Sequence, residues 1–179
     1  NSTNITSSIT GGTVKGYLDM RDTEVEDLRD KLDRLAAGFV KEFNKIHQQG
    51  FGIDGSTGNN FFSALTTTVL INTNNTGSAT LTATNGDPSK ISIDKYEITI
   101  TGSNSFSLTN LTTGASSGTF TFTSGSTFNL ANGFAVTISG TPASGDKFKL
   151  SVSESAARDF SVASGVSSNA NKISAGLNS

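Results

Sequence analysis

The strongest pattern in the chain is a recurrence of apolar side chains every seven residues between Val14 and Ile46. Leu18, Val25, Leu32, Phe39 and Ile46 form one line, while Val14, Leu28 and Leu35 form a second, interrupted by Arg21 and Glu42. Together with Phe43 they make the a/d seam of a coiled coil or helical bundle. No proline lies between Gly12 and Gly50, so the spacing predicts one unbroken helix over about 12–49. At about 1.5 Å per residue it would be roughly 50 Å long. Asp22, Glu26, Arg29, Asp30, Asp33 and Arg34 fall on the other side, which makes the helix amphipathic and predicts a solvated charged face. A seam this long is usually completed by other helices. Leu18, Val25, Leu28, Leu32, Leu35, Phe39, Phe43 and Ile46 are therefore the candidate assembly or packing seam. Truncating Leu32 or Leu35 to Ala would cost about 2–5 kcal/mol if that seam is buried, and Asp30→Ala roughly 0.5 kcal/mol or less.

From Phe61 to Val152 the period changes from about 3.6 residues to 2. Thr80–Ala83, Tyr96–Ile100, Phe106–Leu108, Phe120–Phe122, Phe134–Ile138 and Phe148–Val152 alternate apolar with polar, and Val69–Ile71 is a short continuous apolar run. Turn residues separate them at Asn85-Gly86, Gly102–Asn104, Gly114–Gly118, Asn132-Gly133 and Ser144–Asp146. Such spacing predicts about seven strands in a small antiparallel sandwich or barrel.

The predicted fold class is thus α+β: a long amphipathic helix of a helical bundle domain, with an inserted antiparallel β-sandwich or barrel-like domain. The division runs 1–58 for the helical segment, 61–152 for the β-domain and 153–179 for a return to the helical domain. Thr13 is placed to cap the helix start, and Gly50 stands where a left-handed C-cap is expected. Residues 153–160 predict a short helix or turn. Beyond them the tail is polar, with Ala170, Ile173 and Leu177 available to dock on the seam, while Ile5 and Ile9 are the only apolar anchors of the polar residues 1–10 at the other end.

Composition narrows the function classes. The net charge of -2 leaves no electrostatic footprint for nucleic acid. No apolar run approaches the ~20 residues of a membrane-spanning helix. The absence of cysteine removes disulfides, thiol catalysis and thiolate metal sites together. The chain opens at Asn1 inside a polar stretch without an initiator Met, and is read as a middle piece of a longer protein.

Candidate chemistry is sparse. His47 is the single histidine, and Asn44 shares its helical face, but no further metal-ligating or catalytic group converges on them. Asp54-Gly55 lacks the alternating carboxylates and terminal Glu of a calcium loop. There is no G-x-S-x-G elbow, P-loop or dinucleotide fingerprint. Asp22/Glu26 and Glu26/Asp30 are one helical turn apart, not opposed across a cleft as a hydrolytic pair must be. No catalytic, cofactor-binding or metal residue is assigned, and the chain is not read as an enzyme.

One resemblance is specific. Gly11-Gly12, Gly16, Arg21-Asp22, Leu32, Leu35-Ala36, Phe43-Asn44, His47, Gly50, Asp54-Gly55, Gly58 and Phe61-Phe62 resemble the signature of the flagellar hook-associated proteins of the hook–filament junction. The likeness continues more weakly through Asp94–Ile98, Ile138–Ala143 and Asp146–Phe148. It implies a structural, non-catalytic subunit exported by the flagellar type III apparatus. Such a subunit assembles into an extracellular ring through its helical domain, with the β-domain outside. The implied partners are further copies of itself, the hook protein, the adjacent hook-associated junction protein and an export chaperone acting on a missing terminus; neither nucleic acid nor membrane is among them. The resemblance also makes Asn44 and His47 packing and capping groups. The alternative reading is an exposed adhesive or carbohydrate-binding β-module on a helical stalk. It is weakened by the lack of Trp and by having only Tyr17 and Tyr96 besides Phe.

Overall fold

The helix forms nearly over its expected extent but contains one irregular turn. The structure, a computed structural model, describes residues 8–176; Ile5 and Leu177 lie outside that range. Helix α1 (Gly12–Asp19) runs through a π turn (Met20–Glu24) into helix α2 (Val25–His47). Within the π turn the Val25 amide donates to the Met20 carbonyl, five residues back. A π turn holds about one residue more than an α turn, so the residues before it are rotated by roughly 100° from an unbroken register. Leu18 is half-buried and upstream of this shift, which takes it off the line of Val25 and Leu32 and brings Tyr17 and Met20 towards that line.

Both expected caps differ from the sequence reading. The N-cap is Gly11, with no side-chain bond, and Thr13 lies inside α1. At the other end Gly50 is absent from the described residues with positive φ. It is small for a different reason, since a Cβ there would come within 2.7 Å of the Ser174 Cβ.

All seven expected strands are present, as β2 (Thr68–Ile71), β3 (Thr80–Asn85), β4 (Tyr96–Gly102), β5 (Ser105–Asn110), β6 (Ser116–Thr121), β8 (Phe134–Ser139) and β9 (Lys147–Ser151). Three more were not anticipated: β1 (Phe51–Gly52), β7 (Thr127–Asn129) and β10 (Ser174–Gly176). They build an antiparallel five-stranded sheet in the order β2-β9-β4-β5-β6, a three-stranded sheet β3-β8-β7 and the short ribbon β1-β10. The larger sheets are the layers of a sandwich. Ile98, Ile100, Phe106, Phe148 and Leu150 from the first meet Leu81, Phe134, Val136 and Ile138 from the second in one buried cluster, as period-2 alternation requires. β6 begins at Ser116, inside the stretch expected to be a turn.

One buried charge pins the sandwich together. Asp146 is 2% exposed, and its carboxylate accepts the amides of Thr76 at 2.9 Å, Gly77 at 3.2 Å and Ala143 at 2.9 Å. The Ala143 bond leads, and with the other two outweighs burial to hold Asp146 below the usual carboxylate range.

The sandwich leaves and rejoins the helical region at adjacent points. Thr68 of β2 pairs with Ser151 of β9, Phe62 bridges to Val162, and the Ala163 amide donates to the Phe61 carbonyl at 2.8 Å. Residues 154–158 form turns, followed by the short helix α3 (Ser164–Ser168), a 3-10 turn (Ala170–Lys172) and β10.

Candidate assembly interface

The helix has two functional faces, and the charged one is not free. Asp33, Ala37, Val40, Asn44 and His47 are buried; their spacing of 4, 3, 4 and 3 residues is a stripe of its own. Small residues let the helix approach closely here, with the Gly38 backbone near the Ile93 side chain and Lys41 Nζ donating to the Ile91 carbonyl at 2.8 Å. Arg34 reaches Asp94 at 3.0 Å, and Lys95 reaches Asp30 at 2.7 Å and Glu154 at 3.0 Å. Burial pulls the Lys95 ammonium down, but its bonds to Asp30 and Glu154 prevail and raise it. The expectation of a solvated face at Asp30, Asp33 and Arg34 is therefore corrected: these groups dock α2 onto the β-domain and the return segment.

Three buried polar side chains stitch α2 to the chain on either side of the sandwich. The Asp33 carboxylate accepts the Ser155 amide at 3.2 Å and the Ala157 amide at 2.8 Å. Between them they fix a turn in which Ser155 has φ 61, the one non-glycine residue with positive φ among those described. Asn44 Oδ1 accepts the Phe61 and Phe62 amides at 3.0 and 2.9 Å, and its Nδ2 donates to the Phe62 carbonyl at 2.9 Å. His47 contacts Asn59 on the outgoing side and Ser174 on the returning side. The packing and capping role implied for Asn44 and His47 matches this geometry. Asp33 was missed because an Asp among Asp30, Lys31 and Arg34 reads as surface.

The apolar stripe points away from all of this. Val25, Leu28, Leu32, Leu35, Phe39, Phe43 and Ile46 are all exposed, reaching 70% at Leu35 and 67% at Ile46. Nothing in α1 or the π turn is buried. Among the described residues, only the C-terminal part of the stripe has intramolecular cover. Phe39 and Phe43 contact Phe62 with ring centroids 5.5 and 5.1 Å apart, Phe43 contacts Phe61 at 5.1 Å, and Phe39 contacts Phe160 at 6.0 Å. Ala170 and Ile173 are exposed and do not dock on the seam; the return segment is held instead through buried Val166 and through Ser174 at His47.

The size of the stripe sets what it can do. Fully burying one large apolar side chain is worth about 1.5–3 kcal/mol. Seven that are roughly half-buried already would add about 1 kcal/mol each, or about 7 in all, on gaining a partner. Association costs about 4–15 kcal/mol in lost freedom. A pair of seams would gain about twice that, roughly 14 kcal/mol, only if each covered the other completely. Two helices leave part of each seam in water, so a pairwise contact stays within the cost of association and stable burial takes several helices at once. Among the described residues no group of three or more His, Asp or Glu side chains could hold a metal, and no helix is long and apolar enough to cross a membrane. Asp54 is occupied locally, accepting from the Ser56 amide and hydroxyl at 3.0 and 2.6 Å.

A helix fixed along one side to an outlying sandwich and bare and apolar along the other has the form of a structural assembly subunit. Comparison with known proteins gives the family. Residues 1–62 match the family model "Flagellar hook-associated protein FlgK helical domain" and residues 70–152 match "Flagellar hook-associated protein 1, D2-like domain". The chain is 35% identical over 140 residues to flagellar hook-associated protein 1 of Escherichia coli K12, which covers 78% of this chain and 25% of that protein. It is 31% identical over 153 residues to the protein of the same name from Salmonella typhimurium, covering 84% and 27%. The solved flagellar hook junction protein FlgK from Burkholderia pseudomallei superposes with a TM-score of 0.69 at 30% identity, over 95% of this chain and 30% of that one. The chain belongs to the flagellar hook-associated protein 1 family. It spans about a quarter of the length of the Escherichia coli and Salmonella relatives it matches.

Proposed function

We propose that this chain is part of a structural subunit of the bacterial flagellum that joins hook to filament. In this reading it works by self-assembly and without catalysis. The observation that carries it is the uncovered apolar stripe, Val25 to Ile46, on a helix whose opposite face is committed to the β-domain. In the assembled subunit the stripe and α1, which carries Leu18, are buried by further helices. The β-domain of residues 61–152 is an insertion carried to the outside, and 1–58 with 153–179 belong to the helical domain. Copies of the same protein, hook protein and the adjacent junction protein are the partners, reached after export through the flagellar type III apparatus, with a chaperone engaging a terminal region. The family matches and the B. pseudomallei structure support this reading. They lend no support to the adhesive module.

The test is to place charge on the stripe. Leu28→Asp with Leu35→Asp in the full-length protein, returned to a strain lacking its own copy, should abolish filament attachment while the β-domain keeps its protease resistance. Normal filaments on such cells would overturn the proposal.

A further inference from the structure

His47 is hydrogen-bonded both to the chain leaving the helix and to the chain returning to it. The ring is 6% exposed. Its Nδ1 lies 2.7 Å from the Asn59 carbonyl, and its Nε2 accepts the Ser174 backbone amide at 3.0 Å. A carbonyl can only accept and an amide N–H can only donate, so the two contacts assign one form: neutral imidazole with its proton on Nδ1. Ser174 is tied a second time, its hydroxyl donating to the His47 carbonyl at 2.5 Å. The return segment continues into β10, which pairs with β1 through Phe51↔Gly176 and Gly52↔Ser174.

We propose that His47 is a pH-sensitive latch, whose neutral ring holds the return segment against the helix end and whose protonated ring releases it. Adding a proton to Nε2 leaves that atom unable to accept, and sets two N–H groups against each other at the Ser174 contact. The surroundings offer the charged ring aromatic neighbours but no bonded carboxylate. On α2 the neighbour is the Phe43 ring, stacked at 6.4 Å, and on the link it is the Phe61 ring at 5.5 Å. Of the charged groups on the packed elements, Glu42 and Lys45 lie 4.0 Å from each other. Asp54 is bonded to Ser56 and 3.4 Å from Asn169, with the Lys172 charge acting on it. No carboxylate among the described residues is hydrogen-bonded to either ring nitrogen. The β1-β10 ribbon is two to three residues long and has no third strand, too short to persist alone. Losing the ring contact leaves β10 held only by the Ser174 hydroxyl and the short ribbon, which loosens it while Asn44 and the sandwich keep their bonds. By linkage, the released form grows as pH falls, because it alone accommodates the added proton without losing a bond.

The test follows the Ser174 and Gly176 amides of the 179-residue chain by nuclear magnetic resonance between about pH 8 and pH 5, where imidazole ordinarily changes charge. The His47 ring nitrogens are recorded in the same samples. At the upper end, ring shifts should report the Nδ1-protonated tautomer. Amide protection at Ser174, corrected for intrinsic exchange, should fall by about tenfold or more across this range, while protection in β4 and β5 stays constant. His47→Gln, which can donate and accept at any pH, should hold Ser174 with protection independent of pH. Constant Ser174 protection through the ring's own titration overturns the proposal, as does the Nε2-protonated tautomer at high pH. Should His47→Gln fail to fold, the ring and amide titrations of the unaltered chain still decide the matter.

Discussion

Asp33→Ala removes a side chain that sequence pattern places on the solvated face and the structure places at the junction of helix and return segment. Its carboxylate accepts two backbone amides, Ser155 at 3.2 Å and Ala157 at 2.8 Å. Hydrogen bonds to a charged group contribute about 1.5–3 kcal/mol each. Ala157 is exposed, so water replaces part of the loss at one amide. Ser155 is half-buried, and its left-handed backbone costs about 1–2 kcal/mol that the bonds to Asp33 offset. The net loss should be about 2–4 kcal/mol, read as a fall in the midpoint of thermal unfolding of roughly 5–15 °C for a chain of this size. Leu35→Ala is the matched control: at 70% exposure it should cost roughly 0.5 kcal/mol or less in the isolated chain. Ser155→Gly should recover part of the loss in the Asp33→Ala background, because glycine adopts the left-handed conformation freely. Denaturant unfolding followed by circular dichroism gives all three values. A cost for Asp33→Ala no greater than that for Leu35→Ala would refute the assignment of the buried face.

Further outcomes follow from the same contacts. Asp146→Asn turns an amide NH2 toward at least one of three amide donors and should destabilise the sandwich far more than Asp87→Asn at an exposed turn, measured by denaturant midpoint. Because Asp146 is held low, its contribution is present above the ordinary carboxylate range and is lost as pH falls through its lower folded value; acid titration of Asp146→Asn should lack that component. Since two seams packed pairwise do not clearly outweigh the cost of association, the isolated chain should sediment as a monomer or weak associate at micromolar concentration; a tight closed ring would contradict that estimate. Thr68 and Ser151 are paired, so replacing residues 67–151 with a short Gly/Ser linker in the full-length protein should spare the Phe39–Phe43–Phe62 cluster and the helical circular dichroism. Collapse of the helix would count against the proposed division into domains.

Much of this molecule is legible in its sequence, and the rest is hidden for identifiable reasons. Strand positions follow from alternation at residues such as Tyr96, Ile98 and Ile100, whose side chains all face the core. β7 escapes because Phe128 is the one apolar residue in Thr127–Asn129, and β1 and β10 because two or three residues carry no period. The helix is visible, but the role of its faces is not. Two stripes coexist, a heptad of large apolar residues and the mixed set Asp33, Ala37, Val40, Asn44 and His47. Hydropathy ranks the first as core, although in this chain the second is buried. What separates them is hydrogen bonding to segments up to 127 residues away, which no local pattern encodes. The π turn also leaves no mark, since Met-Arg-Asp-Thr-Glu contains neither proline nor glycine.

The Val25–Ile46 stripe is bare in this chain and, in the proposed function, covered in the assembled flagellum. The chain contains no cysteine, so single cysteines at Leu28, Leu35 or Ile46 report only their own site. Ile53→Cys, at a position 78% exposed, and Ala37→Cys, at a buried one, set the two limits. Maleimide labelling should proceed in the isolated chain at Leu28, Leu35 and Ile46 about as fast as at Ile53. In purified hook–filament junctions carrying the full-length variants, labelling at those three positions should fall to the level of Ala37 while Ile53 stays reactive. Equal labelling of the stripe in both states would contradict the account.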